Sequence, residues 1–166
     1  FINIYHKKKK LSNSDQLYKE GIIDGDKLLC IQGQGDMHKF LRFKTVSSSG
    51  WGYSQSSWDA IAFRPNKTIM VAGFGAYGIT SGQSSFFVKY KYVVMNTPSE
   101  EFEVEIKSSE VDETTKIANI FFEGDLIEVP AGSDFVIVLR AYGPQNNYRV
   151  RGYYGYNGNS YKTFDN

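Results

Sequence analysis

Residues 50–78, GWGYSQSSWDAIAFRPNKTIMVAGFGAYG, decide the fold of this chain. An aromatic, glycine-rich loop opens the stretch, and the apolar residues that follow it predict a strand ending at Phe63. Pro65 and Asn66 are turn-forming residues, and the apolar run after them predicts a second strand. A glycine-aromatic cluster at residues 73–78 then supplies another turn. This order predicts short strands separated by tight, aromatic turns.

The sequence beyond this stretch alternates between apolar and polar residues with the period of a β-strand. The apolar rows are Phe86, Val88, Tyr90, Tyr92 and Val94; Phe102, Val104 and Ile106; and Phe135, Ile137 and Leu139. Residues 117–122 and 126–129 predict two further strands. Short strands without a convincing amphipathic helix are typical of an all-β, antiparallel β-sandwich. Many of the 12 Phe and 12 Tyr residues are then core.

Composition excludes several classes of function. The 166 residues include 19 basic and 18 acidic side chains, a balance that does not favour a nucleic-acid partner. No apolar run reaches the ~20 residues that a membrane-spanning helix needs. Cys30 is the only cysteine, which excludes an intrachain disulfide framework and suits a reducing compartment. We therefore expect a cytoplasmic protein that binds neither nucleic acid nor membrane.

Residues with catalytic or ligand-binding chemistry are few. His6 and His38 lie outside the predicted sandwich, and Cys30 lies in an apolar stretch where a thiolate is costly. Residues 73–78 have the G-x-G-x-x-G spacing of a dinucleotide-binding loop, but turn-forming residues follow them instead of the required helix. The acidic residues at 100–105 are typical of a solvated strand face. We therefore predict no enzymatic activity, no cofactor and no metal site.

Residues 1–32 are organised differently, with a strand at 2–5, a basic turn and a closing strand at 27–31. Further marks are Leu11 and Leu17, Gly21-Ile22, and DGDKLLCI at residues 24–31. Together they resemble the second half of a ubiquitin-like β-grasp domain. The resemblance implies a partner-binding face containing Ile31 and, depending on the register, either Ile4 or Asn3. Alternatively, Ile4 and Ile31 are core or edge residues.

Residues 33–39 form a Gly-rich linker, and residues 40–166 resemble a PHR domain. That domain is the β-sandwich module of the Pam/Highwire ubiquitin ligases and of a group of BTB-domain proteins. The matching segments are Arg42-Phe43 and residues 50–54, 59–63, 67–77, 127–132 and 142–144. The family continues to a further strand, so we expect a truncated sandwich whose unpaired edge another molecule covers.

The resemblance implies protein binding rather than catalysis, and a link to ubiquitin-ligase recruitment. The predicted contact residues are Trp51, Tyr53 and Trp58 near the entry loop and Arg149, Arg151 and Tyr153 on the last strand. Large amphipathic rings give much contact area at little entropic cost. Alternation assigns Tyr148, Val150 and Tyr154 to the core. Trp51 has a second interpretation, as an anchor that packs the end of the sandwich.

Two other functions fit the same pattern. One is a permanent architectural subunit of a cytoskeletal or ciliary, microtubule-associated assembly, in which neighbouring subunits cover the open edges. The other is a carbohydrate-binding sandwich that uses its aromatic loop as a platform. If the chain is an interaction module or an architectural subunit, its partners are other proteins within a larger assembly.

Overall fold

The computed structural model describes residues 2–6, 9–11, 28–32, 37–43, 45–80, 82–123, 126–144 and 150–156. The chain divides into two compact units, Phe1–Leu41 and Arg42–Asn166. Most of the predicted linker at 33–39 lies outside the described residues, and the predicted boundaries at 32 and 40 stay predictions.

The first unit contains three short antiparallel strands in the order β2-β1-β3. They are β1 (Ile2–His6), β2 (Lys9–Leu11) and β3 (Leu28–Gln32). The register places Asn3 opposite Ile31 and Ile4 opposite Cys30. The position across from Ile31 is therefore that of Asn3, whereas the ubiquitin-like face that was predicted from Ile4 and Ile31 stays a prediction.

The second unit is built from antiparallel strands, which confirms the all-β prediction. The strands are β4 (Thr45–Tyr53), β5 (Asp59–Phe63), β6 (Ile69–Val71), β7 (Gly73–Tyr77), β8 (Ser85–Val94), β9 (Thr97–Pro98), β10 (Phe102–Lys107), β11 (Ile117–Phe121), β12 (Ile127–Val129), β13 (Phe135–Tyr142) and β14 (Val150–Tyr156). One layer is a five-stranded sheet in the order β10-β8-β13-β5, with β9 paired to β8.

Three two-stranded ribbons, β4–β14, β7–β11 and β6–β12, make the opposing layer. Backbone hydrogen bonds join them: Thr80 donates to the Arg151 carbonyl at 2.7 Å and Tyr153 to the Gly78 carbonyl at 2.9 Å. The Phe122 amide donates to the Ala72 carbonyl at 3.0 Å, between the second and third ribbons. The second unit is therefore a β-sandwich of two antiparallel layers.

The core lies between these layers and draws on both. The rows predicted from alternation are confirmed, since Phe86, Val88 and Phe135 have no exposed surface. From the opposing layer, Phe122 projects into a group of aromatic rings. Its centroid lies 5.1 Å from that of Tyr92, and between 6.0 and 6.4 Å from those of Phe74, Tyr90 and Phe135.

The glycine-aromatic cluster at 73–78 differs from its prediction as a turn, because residues Gly73–Tyr77 form strand β7. Gly73 and Gly75 let β11 approach closely. A Cβ atom on Gly73 would overlap the Ile120 carbonyl oxygen, and one on Gly75 would lie 2.5 Å from Ile117 Cγ2. These glycines are therefore packing residues of a strand. The predicted entry loop is likewise the end of strand β4.

A candidate protein-interaction surface

The outer face of the five-stranded sheet carries apolar side chains that do not belong to the core cluster. Val136 and Val138 alternate with core residues along β13. The register places Ala62 and Val93 on either side of Val136, and Ala60 beside Val138. Directly opposed residues share a sheet face. We call these five residues the apolar strip; its alanines are exposed and its valines are half-buried.

Trp58 lies at one end of the apolar strip, immediately before β5. Its side chain is 39% exposed. The guanidinium carbon of Arg140 lies 4.4 Å from the ring centroid, and the Lys91 Nζ lies 5.7 Å from it. Arg140 also donates from NH1 to the Gln55 carbonyl at 2.5 Å, which ties the loop before Trp58 to β13. The indole is therefore fixed in place beside the apolar strip while one of its surfaces stays accessible.

Two acidic side chains from the β10 side of the sheet are engaged by neighbouring groups. Glu101 lies 3.5 Å from the Lys89 Nζ. Glu103 accepts a hydrogen bond from the Tyr142 hydroxyl. Burial raises the pKa of Tyr142 to about 12, with additional contributions from its hydrogen bond to Glu103 and from the charge of that carboxylate, while Arg140 opposes the shift.

Replacing Tyr142 with phenylalanine is expected to lower the free energy of unfolding at pH 7 by about 1–3 kcal/mol, because Glu103 loses its donor. The raised pKa favours the neutral phenol in the folded state, so its stabilisation is complete below pH 10 and is lost as the pH rises towards 12. Tyr142→Phe should therefore lose less stability over that window. Urea unfolding followed by circular dichroism between pH 7 and 12 measures this difference.

If the free energy of unfolding fell equally with pH above pH 10 in the wild type and the Tyr142→Phe variant, the hydrogen bond from Tyr142 to Glu103 would not stabilise the fold. Both proteins should lose some stability at alkaline pH, since burial also raises the pKa values of Tyr53, Tyr77 and Tyr90. Only the difference between the two slopes reports on Tyr142.

A second aromatic group lies where β4 pairs with β14. Trp51 is 54% exposed, so its predicted role as a packing anchor is wrong, and it is more exposed than Trp58. The ring of Tyr154 lies 6.2 Å from that of Trp51, so Tyr154 packs here and not in the core cluster. Arg151 is exposed in the same ribbon. Beside it Gly50 has φ +89, at an irregularity in the ladder.

Tyr53 is a core residue, and its predicted role as a contact residue is wrong. Its side chain is 8% exposed, and its hydroxyl donates to the carbonyls of Tyr77 and Tyr153 at 3.4 and 3.3 Å. Burial raises the Tyr53 pKa. Tyr153 is half-buried, with the Lys116 Nζ 5.5 Å from its ring centroid. Arg149 lies outside the described residues.

The predicted core position of Val150 is confirmed, because its side chain is 2% exposed. The apolar strip was not predicted, although the sequence carries a signal for it. Residues 135–139, FVIVL, are apolar at five consecutive positions, and such a run indicates a strand that buries side chains on both faces.

Residues 41–164 match the family model of the PHR domain. The chain belongs to the PHR domain family. This family is a non-catalytic family of interaction domains, and membership indicates a protein-interaction module. No match to the chain was found among curated proteins. The apolar strip and the exposed ring of Trp51 are thus two surface features of a PHR domain.

Within the ranges that the structure describes, no helix is long and apolar enough to cross a bilayer. The same residues contain no group of three or more His, Cys, Asp or Glu side chains arranged to hold a metal ion.

Proposed function

We propose that this PHR domain binds a partner protein through the apolar strip and the neighbouring indole of Trp58. The outer face of a sandwich sheet normally carries polar side chains. Here two outward positions on β13, Val136 and Val138, are aliphatic. Val136 lies between Ala62 on β5 and Val93 on β8, and Val138 lies beside Ala60 on β5. An apolar patch bordered by polar groups is typical of an interaction site. The apolar strip is the observation that carries the proposal.

Trp58 has the properties of an anchor for such a partner. It is rigid, because Arg140 contacts the ring, and it remains 39% exposed. Tryptophan is enriched among the few interface residues that supply most of the binding energy. An anchor that is already fixed loses little conformational entropy when a partner binds.

The PHR resemblance supports a finer proposal, in which the bound protein is recruited to a ubiquitin ligase in the cytoplasm. The architectural alternative is a permanent place in a cytoskeletal or ciliary assembly. It draws support from β5 and β10, which have no strand partner on their outer sides in the described part of the chain. The exposed ring of Trp51 beside Tyr154 supports the carbohydrate-binding alternative.

Affinity capture with the full 166-residue chain tests the proposal. Ala62→Arg places a long cation on the apolar strip at an exposed position, so the fold should be retained. We expect partners captured by the wild type to bind Ala62→Arg and Trp58→Ala at least ~30-fold more weakly, the loss typical of a central interface residue. Quantitative mass spectrometry identifies these partners, and titration with each purified partner measures the affinity.

Met70→Arg is the matched control, since Met70 is 52% exposed and lies on β6 in the opposing layer. Ala62→Arg should unfold at the same temperature as the wild type. Trp58→Ala should lose about 1–2 kcal/mol, because Arg140 loses its aromatic contact. Equal capture by wild type, Ala62→Arg and Trp58→Ala would overturn the proposal.

The remaining alternatives have separate tests. Binding to a glycan array that is lost in Trp51→Ala and retained in Ala62→Arg would support carbohydrate recognition. Resistance of the native protein to salt extraction from a cytoskeletal fraction would support the architectural role.

A further inference from the structure

Two cations beside Trp58 have no salt-bridge partner within the described part of the chain. Lys91 and Arg140 both face the indole ring, and we call them the cation pair. The nearby carboxylates interact elsewhere: Glu101 contacts Lys89, Glu103 accepts from Tyr142, and the charge of Asp59 acts on the buried Tyr53 hydroxyl, whose pKa it helps to raise. Among the described residues, no carboxylate forms a salt bridge with either member of the cation pair.

Arg140 is also incompletely satisfied. Its NH1 donates to the Gln55 carbonyl, but its Nε atom is buried without a hydrogen-bond partner. A guanidinium group has five N–H donors, and its strongest partner is a carboxylate. Two like charges beside one aromatic ring repel each other unless an anion approaches. Because the Nε atom is buried, a ligand does not reach it directly. The charges of Lys91 and Arg140, rather than this donor, favour a ligand with negative charge at this end of the apolar strip.

We propose that the partner presents an acidic side chain to Lys91 and Arg140 and lays apolar side chains along the apolar strip. This inference rests on the proposed function, and it adds the chemistry of the segment that is recognised. The partner segment is an extended peptide with Asp or Glu beside aliphatic or aromatic residues.

The register of the sheet defines the spacing of such a segment. Val138 lies opposite Lys91, and Val136 lies opposite Val93 two residues further along. Two residues of an extended chain span about 6.6 Å. A peptide running along the strands, with its carboxylate at the cation pair, therefore places its side chain two positions away over Val136 and Ala62. The expected pattern is an acidic residue with an apolar residue two positions from it.

Selection from a phage-displayed library of random 12-residue peptides tests the inference. The full chain is the target, and counter-selection against the Ala62→Arg variant removes phage whose peptides bind outside the apolar strip. Enriched peptides are synthesised with their acidic residue and with the corresponding amide, and fluorescence anisotropy measures their affinities. We expect the acidic pattern among the enriched peptides, and at least ~10-fold weaker binding for the amide versions.

Charge reversal on the domain provides the complementary measurement. Lys91→Glu should weaken binding of the acidic peptide at least ~10-fold, and Lys91→Arg should retain that binding. A peptide with lysine in place of its acidic residue should recover affinity for Lys91→Glu. Lys107→Glu is the matched control, because Lys107 is exposed on the same sheet about 20 Å further along the strand direction.

One result would separate this inference from the proposed function. Peptides that require Ala62 but bind Lys91→Glu and the wild type equally would overturn the acidic-ligand inference and leave the apolar strip as the binding surface. A library that yields no peptide sensitive to Ala62→Arg would count against both proposals. Loss of binding in Lys107→Glu equal to that in Lys91→Glu would show a diffuse charge effect and overturn the inference.

Discussion

Replacing Gly73 with alanine is expected to lower the free energy of unfolding by about 3 kcal/mol or more, at the upper end of the range for overpacked sites. An added Cβ would overlap the Ile120 carbonyl oxygen and lie 2.8 Å from the Phe121 Cα. Both atoms belong to the backbone of β11, so no side-chain rotation relieves the contact. The two strands must separate, which weakens the ladder between β7 and β11.

Gly52→Ala is the control for this prediction. Gly52 also lies in a strand, but an added Cβ there would meet no atom within 4 Å and its φ is not in the left-handed region. We expect Gly52→Ala to change stability by less than about 1 kcal/mol, and to raise it if anything, since alanine restricts the unfolded chain. Urea unfolding of both variants measures the contrast. Equal stability of Gly73→Ala and the wild type would show that β7 and β11 are not closely packed.

Replacing Phe122 with alanine is expected to cost about 3–5 kcal/mol, the range for a large aromatic side chain removed from a core. Phe122 is 8% exposed, and its ring contacts aromatic residues on both layers, including Phe74 on β7 and Tyr92 on β8. Its removal leaves a cavity between the layers that rigid neighbouring rings fill poorly. Phe122→Leu keeps much of the volume and should cost about 1–2 kcal/mol.

Chemical denaturation with intrinsic fluorescence and circular dichroism measures both Phe122 variants. Met70→Ala, which truncates an exposed apolar side chain, should stay within about 0.5 kcal/mol of the wild type. A loss at Phe122→Ala no larger than that at Met70→Ala would mean that the two layers do not pack through this ring.

Much of the five-stranded sheet is predictable because its strands β8 and β10 alternate between buried apolar side chains and solvated polar ones. Along β8 the apolar Phe86, Val88 and Tyr90 alternate with Lys89 and Lys91, and this period-two pattern determines which side chains are buried. The same reasoning predicts β10 and the inward row of β13. In these strands local alternation and the packing of the sandwich agree.

The glycine-rich strands are harder to predict because their conformation depends on distant partners. Gly50 and Gly52 lower the strand propensity of residues 45–53, so this segment has the composition of a loop. It is a strand because β14 pairs with it from far along the chain. Similarly, Gly73 and Gly75 resemble a turn until the backbone of β11 is placed against them. At both sites, pairing with a distant strand overrides the low strand propensity of the local sequence.

The candidate surface was only partly predictable. Trp58 could be recognised as a contact residue from its type and its position before a strand. Its neighbours could not, because Arg140 and Lys91 reach the ring only through the register of β13 with β8 and of β13 with β5. Tyr53 shows the opposite error, since an aromatic residue in a segment rich in glycine and serine looks the same in the sequence whether its ring faces solvent or the core.

The pairing of β4 with β14 has a consequence for how the domain is made. The Tyr53 hydroxyl and the Tyr153 carbonyl meet across 100 positions of sequence. During synthesis the segment that forms β4 therefore leaves the ribosome long before its pairing segment exists, and closing so large a loop is slow. Nascent chains stalled shortly before residue 150 should accordingly be bound by chaperones, and release of the last segment should end that dependence.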